Sequence, residues 1–454
     1  MQHTLQQVVE KVKNSNINKV KLAITDIDGI LRGKVVSRDK FLSIADGGFG
    51  FCDVVFGWDA GDVAYDNAKV TGWHNGYPDS NATIDPATYR EIPWEKGLPI
   101  LLADFSHAES GVKDTCPRTL LKKVIAKAHA MGFLPFFAQE FEWFNFKETS
   151  DSAHEKGYRD LKPISPGMFG YSVLRQSNNR GFFNDIMDMM TAYNVPVEGI
   201  HTETGPGVLE AAVLYADALE SADRAVLFKA GVKEIAHQYG IIATFMAKIS
   251  DNLPGCSGHV HQSLWDKDKK NNLFFDANKE HKMSDMMRSY MAGQLACFGD
   301  ILPMVAPTIN SYKRLVVGAW APTTLTWGVD NRTTMLRALP LGSKSCRLET
   351  RVVGSDSNPY LAMAACLAAG LYGIEKGLKL DVEMTKGNGY ENKTNGVLPG
   401  TLDEAANRMR ESKIANELFG ETFVEHFTGT RLWEVRQFNK HVTDWEWKRY
   451  FEII

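Results

Sequence analysis

The sequence predicts an α+β protein in which a small N-terminal module precedes a large mixed α/β domain. The chain has 454 residues, which is too long for one small core, so two domains of unequal size are expected. Strand-like and helical segments alternate along it, but no G-x-G-x-x-G string follows a strand. The segment pattern has changed by Pro117, and we therefore assign residues 1–110 to the first domain and 111–454 to the second.

The first domain begins with a short amphipathic helix, predicted over residues 4–15. Two strand-like runs, Lys19–Thr25 and Ile30–Ser37, flank the turn residues of the string DIDG. This pattern predicts a β-hairpin. A last apolar strand is expected at Ile100–Phe105.

The second domain is predicted to contain both helices and strands in alternation. Apolar residues at helical spacing predict six helices, at Thr119–Met131, Arg180–Tyr193, Leu209–Tyr239, Ser284–Phe298, Pro359–Lys376 and Leu402–Ser412. Alternating or continuous apolar runs predict strands at Leu134–Phe146, Val197–Thr202, Ile241–Ser250, Gly258–Trp265, Thr323–Asp330, Met335–Leu339 and Cys346–Val353. The Ala/Gly-rich stretch around Leu361–Gly373 is expected to be a buried helix.

Composition argues against several classes of protein. A net charge of −4 and a pI near 6.3 give no general reason to bind nucleic acid or an anionic membrane. No apolar run approaches the roughly 18 residues of a membrane span, and the opening MQHTLQQVVEKVKNSN lacks the apolar core of a secretory signal. Six scattered cysteines without a C-x-x-C pair favour a reducing compartment, so we expect a cytoplasmic protein.

Two carboxylates occur close together in the strand-like run LPFFAQEFEWFNF. Glu140 and Glu142 are two residues apart, so on a strand they share one face at a spacing of about 7 Å. Such a pair alone is typical of a solvated strand face. Here, however, both faces are otherwise rich in phenylalanine, and two carboxylates in such surroundings need a cation to offset their desolvation.

Two further groups contain potential ligands. Glu203 and Glu210 bracket the turn Thr204-Gly-Pro-Gly207 and could converge on one centre, although a capping loop with two exposed acids is the alternative. His259, His261 and Ser263 face one way on a predicted strand. A pair of hydrogen-bonded core histidines is possible there, whereas a zinc site would want more His or Cys ligands nearby.

Arginines surround one more glutamate, Glu349. They are Arg314, Arg332, Arg337, Arg347 and Arg351. Any one of these arginines could instead belong to a surface salt-bridge network. Five arginines beside glycine-rich turns, however, favour the recognition of polyphosphate and carboxylate groups.

The combined inventory of ligands indicates a specific chemistry. Five glutamates and one histidine, with no cysteine, suit two hard octahedral cations such as Mg²⁺ or Mn²⁺. Two such ions beside several arginines are the usual equipment for phosphoryl transfer.

Several ordered strings resemble the glutamine synthetase family. They are FAQEFEWF, HTETGPGVLE, SGHVHQSLWD, NSYKRLVVGAWAP, WGVDNRTTMLRAL, RLETRVV and NPYLAMAACLAAGLYGIE, and they occur in family order from about residue 20 onwards. The resemblance implies a β-grasp-like N-terminal domain and a glutamine synthetase-type catalytic domain whose sheet forms a funnel-shaped site. It also implies two to three ions of Mg²⁺ or Mn²⁺, with ATP as co-substrate.

The resemblance further implies roles for individual residues. The ion that holds glutamate would be bound by Glu142, Glu203 and Glu210, and the ion that bridges the ATP phosphates by Glu140, His259 and Glu349. Positions that match nucleotide contacts are Glu198, His261, Gln262, Ser263, Arg332, Arg337 and Lys344. Positions assigned to substrate are Gly255, Arg314, Trp320 and Arg351, while Asp59 and Arg332 are the candidate catalytic residues.

The family resemblance implies a two-step reaction and a ring-shaped assembly. ATP would phosphorylate the γ-carboxylate of glutamate, and an amine would then displace phosphate from γ-glutamyl phosphate. In the family, each site is completed by the N-terminal domain of a neighbouring subunit, so a homo-oligomer, most simply a dodecamer, is expected.

The sequence departs from the family pattern where the amine would enter. Trp320 stands at a position where ammonia-using synthetases have a glutamate that helps to bind ammonium. The family's ammonium-binding aspartate aligns ambiguously within CDVVFGWDAGD; Asp59 is our choice, with Asp53 and Asp62 as alternatives. A tryptophan ring can attract a cation or pack against an alkyl group, but it cannot take a proton.

The leading hypothesis is therefore a γ-glutamyl ligase for an amine larger than ammonia, such as an alkylamine, ethanolamine or a polyamine. Ordinary glutamine synthesis is the alternative within the same enzyme class. A catalytically silent structural homologue is disfavoured because all six matched metal ligands are present. A dinucleotide-binding dehydrogenase is disfavoured because its glycine fingerprint is missing.

Overall fold

Two β-sheets organise the chain, and the computed structural model describes residues 3–109 and 111–454. The strands are β1 Lys19–Thr25, β2 Leu31–Ser37, β3 Phe49–Cys52, β4 Asp79–Ile84, β5 Arg90–Ile92, β6 Leu98–Asp104, β7 Phe133–Phe146, β8 Val197–Thr202, β9 Val208–Val213, β10 Ala216–Asp217, β11 Ile242–Thr244, β12 Val260–Asp266, β13 Trp327–Val329, β14 Leu336–Leu339 and β15 Arg347–Thr350. The first eight helices are α1 Leu5–Asn14, α2 Arg38–Ile44, α3 Val112–Thr115, α4 Pro117–Ala130, α5 Ser150–Glu155, α6 Val173–Asn178, α7 Arg180–Ala192 and α8 Ala218–Gln238. The others are α9 Asp285–Ile301, α10 Ser311–Arg314, α11 Pro359–Glu375, α12 Leu402–Glu411, α13 Lys413–Phe419, α14 Glu421–Phe438 and α15 Asp444–Tyr450.

The N-terminal sheet has the strand order β2-β1-β6-β4-β3, with β5 paired to β6. Strands β1 and β2 form the predicted antiparallel hairpin, and β1 also pairs in parallel with β6. Every residue of β6 is buried, whereas β2 is mostly exposed. The small sheet therefore packs around β6 and leaves β2 at an open edge.

The larger sheet has the order β13-β14-β15-β12-β7-β9-β8, and β10 and β11 also pair with β7. Strand β7 is the longest, with 14 residues, and it pairs antiparallel with both β9 and β12. Among the predicted ligands, Glu140 and Glu142 lie on β7, Glu210 on β9 and Glu349 on β15, while His259 directly precedes β12 and Glu203 directly follows β8. Sheet pairing thus brings together residues that lie far apart in the chain.

Helix α11 is the buried helix that its Ala/Gly-rich sequence predicts. Fourteen of its 17 residues are buried. A Cβ on Gly373 would lie 2.0 Å from the Ser289 carbonyl oxygen, and one on Gly293 would lie 2.2 Å from the Ala369 carbonyl oxygen. Glycine at these two positions therefore allows the close approach of α9 and α11.

The prediction of a helix over Leu209–Tyr239 is wrong in its first part. Val208–Val213 is a strand that pairs with β7 and β8, and the helix starts only at Ala218, where Asp217 caps it by accepting from the Glu220 N–H. The residues from 209 to 217 are compatible with a helix by their intrinsic propensity. Strand pairing along both edges of Val208–Val213 outweighs that propensity. The predicted strand Ile241–Ser250 is also shorter, with only Ile242–Thr244 in the sheet.

A buried ion cluster joins the N-terminal sheet to the helices of the larger domain. The Arg118 guanidinium donates to Asp104 at 2.6 Å, to Asp85 at 2.8 Å and to both oxygens of Asp223 at 2.8 and 2.9 Å. The Tyr360 hydroxyl donates to Asp223 at 2.5 Å. Although burial opposes ionisation, the charges of Arg118 and a neighbouring lysine lower the pKa of Asp104 to about 2.

The hydrophobic core is continuous from α1 to α14, so packing does not separate the two sheets into independent units. The division into domains at residue 110 stays a prediction, and Ser110 itself lies outside the described residues. Among the described helices, none is long and apolar enough to cross a membrane.

Replacing Arg118 with methionine should strongly destabilise the protein. The substitution keeps most of the side-chain volume but leaves Asp104 and Asp223 buried without their cation, which typically costs about 3–5 kcal/mol. The midpoint of urea unfolding measures the change.

The matched control is Arg436→Met, since Arg436 forms an ion pair with Asp66 on the surface. An exposed pair contributes about 0–1 kcal/mol, so this midpoint should barely move. Equal shifts for the two variants would contradict a structural role for the buried cluster.

Candidate metal and nucleotide site

Strand β7 presents two carboxylates on one face of the large sheet. Glu140 and Glu142 are partly exposed on that face, whereas Phe141 and Trp143 are fully buried on the other. The Phe141 ring stacks on Phe228 of α8 with ring centroids 5.7 Å apart. Because side chains alternate along a strand, the aromatic face anchors β7 while the carboxylates point into a polar cleft.

Glu140, His259 and Glu349 form the first cluster of ligand atoms. Nδ1 of His259 lies 3.2 Å from Glu140 Oε1 and 3.2 Å from Glu349 Oε1. Ligands at right angles around an octahedral cation, with bonds of about 2.0–2.1 Å, lie about 3 Å apart. His259 Nε2, the ring nitrogen that does not face these carboxylates, is buried with no hydrogen-bond partner in the described residues. The residues therefore fit a divalent cation.

His201, Glu203 and Glu210 form the second cluster. His201 Nε2 lies 3.3 Å from Glu203 Oε2 and 3.4 Å from Glu210 Oε2. Glu142, the predicted third ligand, lies directly opposite Glu210 in the β7–β9 register. Its Oε2 accepts a hydrogen bond of 2.5 Å from the Ser257 N–H. In this arrangement His201, which the sequence analysis did not select, occupies the place expected for Glu142.

The second cluster is short of positive charge. Burial and the charges of Glu140 and Glu142 raise the pKa of Glu210 to about 8, although a hydrogen bond with His201 opposes the rise. Burial lowers the pKa of His201, but hydrogen bonds to Glu203 and Glu210 outweigh it and raise that pKa to about 9. A protonated imidazole thus partly offsets the carboxylates. A divalent cation of hard character would supply the same charge with better coordination.

The glutamate on β15 is held by arginines. Glu349 is fully buried, and its Oε2 accepts a 2.9 Å hydrogen bond from Arg337 while Oε1 accepts from Arg351. Although burial opposes ionisation, His259 and Arg351 lower the pKa of Glu349 to about 2. Arg347 donates to His261 Nδ1 at 3.2 Å and thereby orients that ring towards Glu140. The carboxylate of Glu349 is therefore ionised and fixed before any ion binds.

The four positions predicted to bind substrate line one narrow pocket. Gly255, Arg314, Trp320 and Arg351 meet there with Glu142, Glu203 and His259.

Close packing fixes the inner wall of this pocket. A Cβ at Gly255 would lie 2.7 Å from Arg314 Cγ, so glycine is needed for the approach. The Arg314 guanidinium donates to the carbonyls of Val352 and Arg351 at 3.0 and 3.1 Å. Trp320, in contrast, is 60% exposed with a left-handed backbone at φ 58°, and it lies at the pocket's rim.

A cavity of about 320 Å³ lies on the other side of Glu140. Glu198, His261, Ser263 and Lys344 all line it, as expected for a nucleotide site. The Gln262 side chain points the other way.

The Gln262 amide is fully used inside the core. Its Nε2 donates to Thr350 at 2.8 Å, and its Oε1 accepts from Tyr290 and Gln294 at 2.7 Å each. Gln262 also lines the cavity, and the alternation of β12 leaves it its main chain for that contact.

The two candidate catalytic residues are placed differently. Arg332 is exposed near the first cluster, and its carbonyl accepts a 3.0 Å hydrogen bond from Arg351 Nε. Asp59 lies on the N-terminal domain, where Oδ2 accepts from Trp433 Nε1 at 2.9 Å and Oδ1 accepts from the N–H groups of Gly61 and Val63. Within one chain, Asp59 thus contacts α14 and a loop of its own domain.

Sequence reasoning missed two residues of the site. His201 shares a strand face with Glu203, and the same two-residue spacing that identified Glu140 and Glu142 could have found it. Tyr171 stacks on the His201 ring at a centroid distance of 4.4 Å and an angle of 9°. It lies in an irregular segment with φ 56°, where no periodic pattern marks it.

Comparison with known proteins identifies the family. The glutamine synthetase catalytic-domain family matches residues 114–450. Type-1 glutamine synthetase 2 of Dictyostelium discoideum is 51% identical over 98% of this chain and 86% of its own length. The glutamate–isopropylamine ligase of a Pseudomonas species is 36% identical over 99% of this chain and 98% of its own. The γ-glutamylethanolamide synthetase GlnA4 of Streptomyces coelicolor is 37% identical over 97% and 94%.

Solved structures give the same result. A GmaS–ADP complex superposes with a TM-score of 0.84 at 27% identity, covering 98% of this chain and 99% of the other. The fold, the paired ligand clusters and these relatives together define an ATP-dependent carbon–nitrogen ligase that uses divalent metal. The chain belongs to the glutamine synthetase family.

Replacing Glu210 with glutamine should stabilise the metal-free protein and weaken its response to metal. At a pH of about 8, where Glu210 is about half ionised, the change removes its repulsion with the facing Glu142, so the melting temperature should rise by a few degrees. The further rise on adding Mn²⁺ should shrink, because stabilisation by a ligand follows its affinity. Thermal scans with EDTA and with Mn²⁺ measure both effects.

Glu411→Gln at the exposed end of α12 serves as the control and should leave both quantities unchanged. A Glu210→Gln protein with an unaltered response to Mn²⁺ would show that this cluster is not a metal site.

Proposed function

We propose that this enzyme joins the γ-carboxyl group of L-glutamate to a primary amine larger than ammonia, with hydrolysis of ATP to ADP and phosphate. The observation that carries the proposal is Trp320 at the rim of the pocket formed by Glu142, Arg314 and Arg351. An exposed indole there offers an apolar face to an alkyl group and a π-face to an ammonium ion. Two relatives, an isopropylamine ligase and an ethanolamide synthetase, support the same choice.

We assign two to three ions of Mg²⁺ or Mn²⁺ to the two clusters. Glu140, His259 and Glu349 would hold the ion nearest the nucleotide cavity, because Glu140 also lines that cavity. Glu203 and Glu210 would hold the ion nearest the substrate pocket, with Glu142 or His201 completing the set. Bound there, such ions would neutralise phosphate oxygens and polarise the substrate carboxylate.

The arginines would bind and orient the two carboxylates and the transferring phosphoryl group. Arg314 and Arg351 would clamp the glutamate, since both guanidinium groups are buried and fixed at the pocket wall. Arg332 and Arg337 would stabilise charge that develops during transfer, as fixed cations in a water-poor site do. In the second step the amine nitrogen attacks the γ-carbonyl carbon, phosphate leaves, and the amine gives up a proton.

Asp59 would serve the site of a neighbouring subunit. Its carboxylate is held by Trp433 and two main-chain N–H groups, so it is fixed on the surface of the N-terminal domain. A ring-shaped homo-oligomer, a dodecamer by analogy with the family, would bring that domain to the open side of the next pocket. Six cysteines without a disulfide favour a cytoplasmic location.

Glutamine synthesis from ammonia is the second candidate. It is favoured by the 51% identical relative, type-1 glutamine synthetase 2 of Dictyostelium discoideum. The same metal, nucleotide and glutamate residues would serve it. Only the residues around Trp320 and the neighbour's Asp59 discriminate between the two functions.

A panel of amines tests the proposal. Phosphate release from ATP and glutamate should be at least ten times more efficient, in kcat/KM, with an alkylamine or ethanolamine than with ammonia, because each methylene packed in an apolar pocket gives about 10–200-fold. Mixtures lacking amine or glutamate provide the background. Fastest turnover with ammonia would instead establish the second candidate.

Trp320→Glu should shift preference towards ammonia by about tenfold or more. The carboxylate would stabilise an ammonium ion and remove the apolar surface that packs an alkyl group. The ratio of kcat/KM values for ethylamine and ammonia measures the shift. Trp320→Phe keeps an aromatic ring and should keep the wild-type ratio, whereas equal ratios in all three proteins would remove Trp320 from the amine site.

A further inference from the structure

A second large cavity lies on the opposite face of β7 from the ligand clusters. Its volume is about 750 Å³, and its walls come from β1, β2, α8 and the segment after β11. Trp94, Tyr193, Val226, Phe245 and Met246 supply much of the lining. None of the substrate or nucleotide positions discussed above lines it, so the reaction leaves this space without a role.

Two lysines of α8 face each other in this cavity. Lys229 and Lys233 are four residues apart, so they lie on the same side of the helix. Both ammonium groups lie over the Phe245 ring, 5.6 and 5.8 Å from its centroid. Neither has a carboxylate within salt-bridge distance among the described residues.

The lysines differ in how they are held. Lys229 Nζ donates to the carbonyls of Ser355 and Ser357 at 2.8 and 3.0 Å. Lys233 Nζ makes no hydrogen bond within the part of the chain that is described, and Lys233 is the more exposed. Burial, together with the charge of the neighbouring Lys233, lowers the pKa of Lys229 to about 7. The cavity thus holds two neighbouring lysine amino groups in partly apolar surroundings, and their proximity disfavours charging both of them.

The acidic groups of the cavity are engaged elsewhere. Asp28 accepts from Arg431 at 2.6 Å, Asp356 accepts from Thr308 and Ser311 at 2.9 and 2.5 Å, and Glu234 accepts from Trp94 Nε1 at 2.6 Å. The other cations have partners too. Lys21 pairs with Glu95, Arg32 with Asp26 and Asp62, and Lys34 donates to the Gly50 carbonyl. Asp356 and Glu234 accept only from uncharged groups and keep their charges, whereas Lys34, Lys229 and Lys233 have no carboxylate partner among the described residues. Cations are therefore in excess among the charges without an ion pair, and two of them, Lys229 and Lys233, are neighbours on α8.

We propose that this cavity binds a small organic anion, whose acidic group lies between Lys229 and Lys233 and whose apolar or aromatic body packs on Trp94, Phe245 and Met246. An anion would relieve the repulsion between the two ammonium groups and give Lys233 a hydrogen-bonded partner. The aromatic walls favour a body with a ring or an alkyl chain over inorganic phosphate. The site is separate from catalysis, since β7 lies between the two faces of the sheet.

Phenylacetate and its uncharged amide, phenylacetamide, are the probes. Titration calorimetry on the full-length oligomer should show saturable binding of phenylacetate and at least tenfold weaker binding of phenylacetamide. Lys233→Met should weaken phenylacetate binding at least tenfold, and because Lys233 makes no hydrogen bond here the variant should fold and keep its ligase activity. Lys270→Met, an exposed lysine away from the cavity, is the control and should bind like the wild type.

Three results would overturn the proposal. Equal binding of the acid and the amide would show a purely apolar cavity. Phenylacetate binding that Lys233→Met leaves intact but saturating glutamate abolishes would place the anion in the substrate pocket. Absence of binding, together with a changed subunit number in Lys233→Met, would mean that a second copy of the chain covers the lysines.

Discussion

The antiparallel register of β7 and β9 is the constraint on which the site depends. It places Glu142 directly opposite Glu210, while the same strand carries Glu140 to within 3.2 Å of His259. Like charges so paired destabilise a sheet, and burial adds a desolvation cost. The pKa of Glu210, raised to about 8, records that cost. The facing carboxylates of the sheet therefore stay fully ionised at this point only when cations join them.

The opposite face of β7 provides the rigidity that this arrangement requires. Phe141 and Trp143 are fully buried against Phe228 and Phe245, so the strand cannot slip by one residue without exposing them. A slip would also carry the carboxylates into the core. Aromatic packing on one face of β7 thus fixes the positions of the carboxylates that repel each other on the opposite face. The Arg118 cluster extends the same support to the N-terminal sheet, because it binds carboxylates of both parts of the chain.

Much of this site could be predicted from the alternation of side chains along strands. The residues and elements that the sequence did not reveal have physical reasons. Glu140, Glu142 and Glu349 were predictable because each lies on a regular strand of known face, and His259 directly precedes such a strand. The Leu209–Tyr239 helix was mispredicted because tertiary pairing overrode local propensity. Gln262 matches a family position, yet its amide is used by Tyr290 and Gln294, partners that only the folded chain brings near. Helices α13 to α15 went unpredicted, and Tyr171 lies where the backbone has no period.

In the proposed reaction, the residues that select the amine differ in kind from the residues that bind metal, nucleotide and glutamate. Most of the residues that we assign to metal and glutamate project from paired strands or buried segments, and hydrogen bonds on several sides set their positions. Trp320, at 60% exposed, belongs to an irregular segment outside both sheets, and Asp59 lies between β3 and β4 of the N-terminal sheet. Substitutions at such positions alter no strand register and expose no buried charge. One scaffold can therefore keep its phosphoryl chemistry unchanged while the amine it accepts varies, and the mixed names of its relatives agree with that separation.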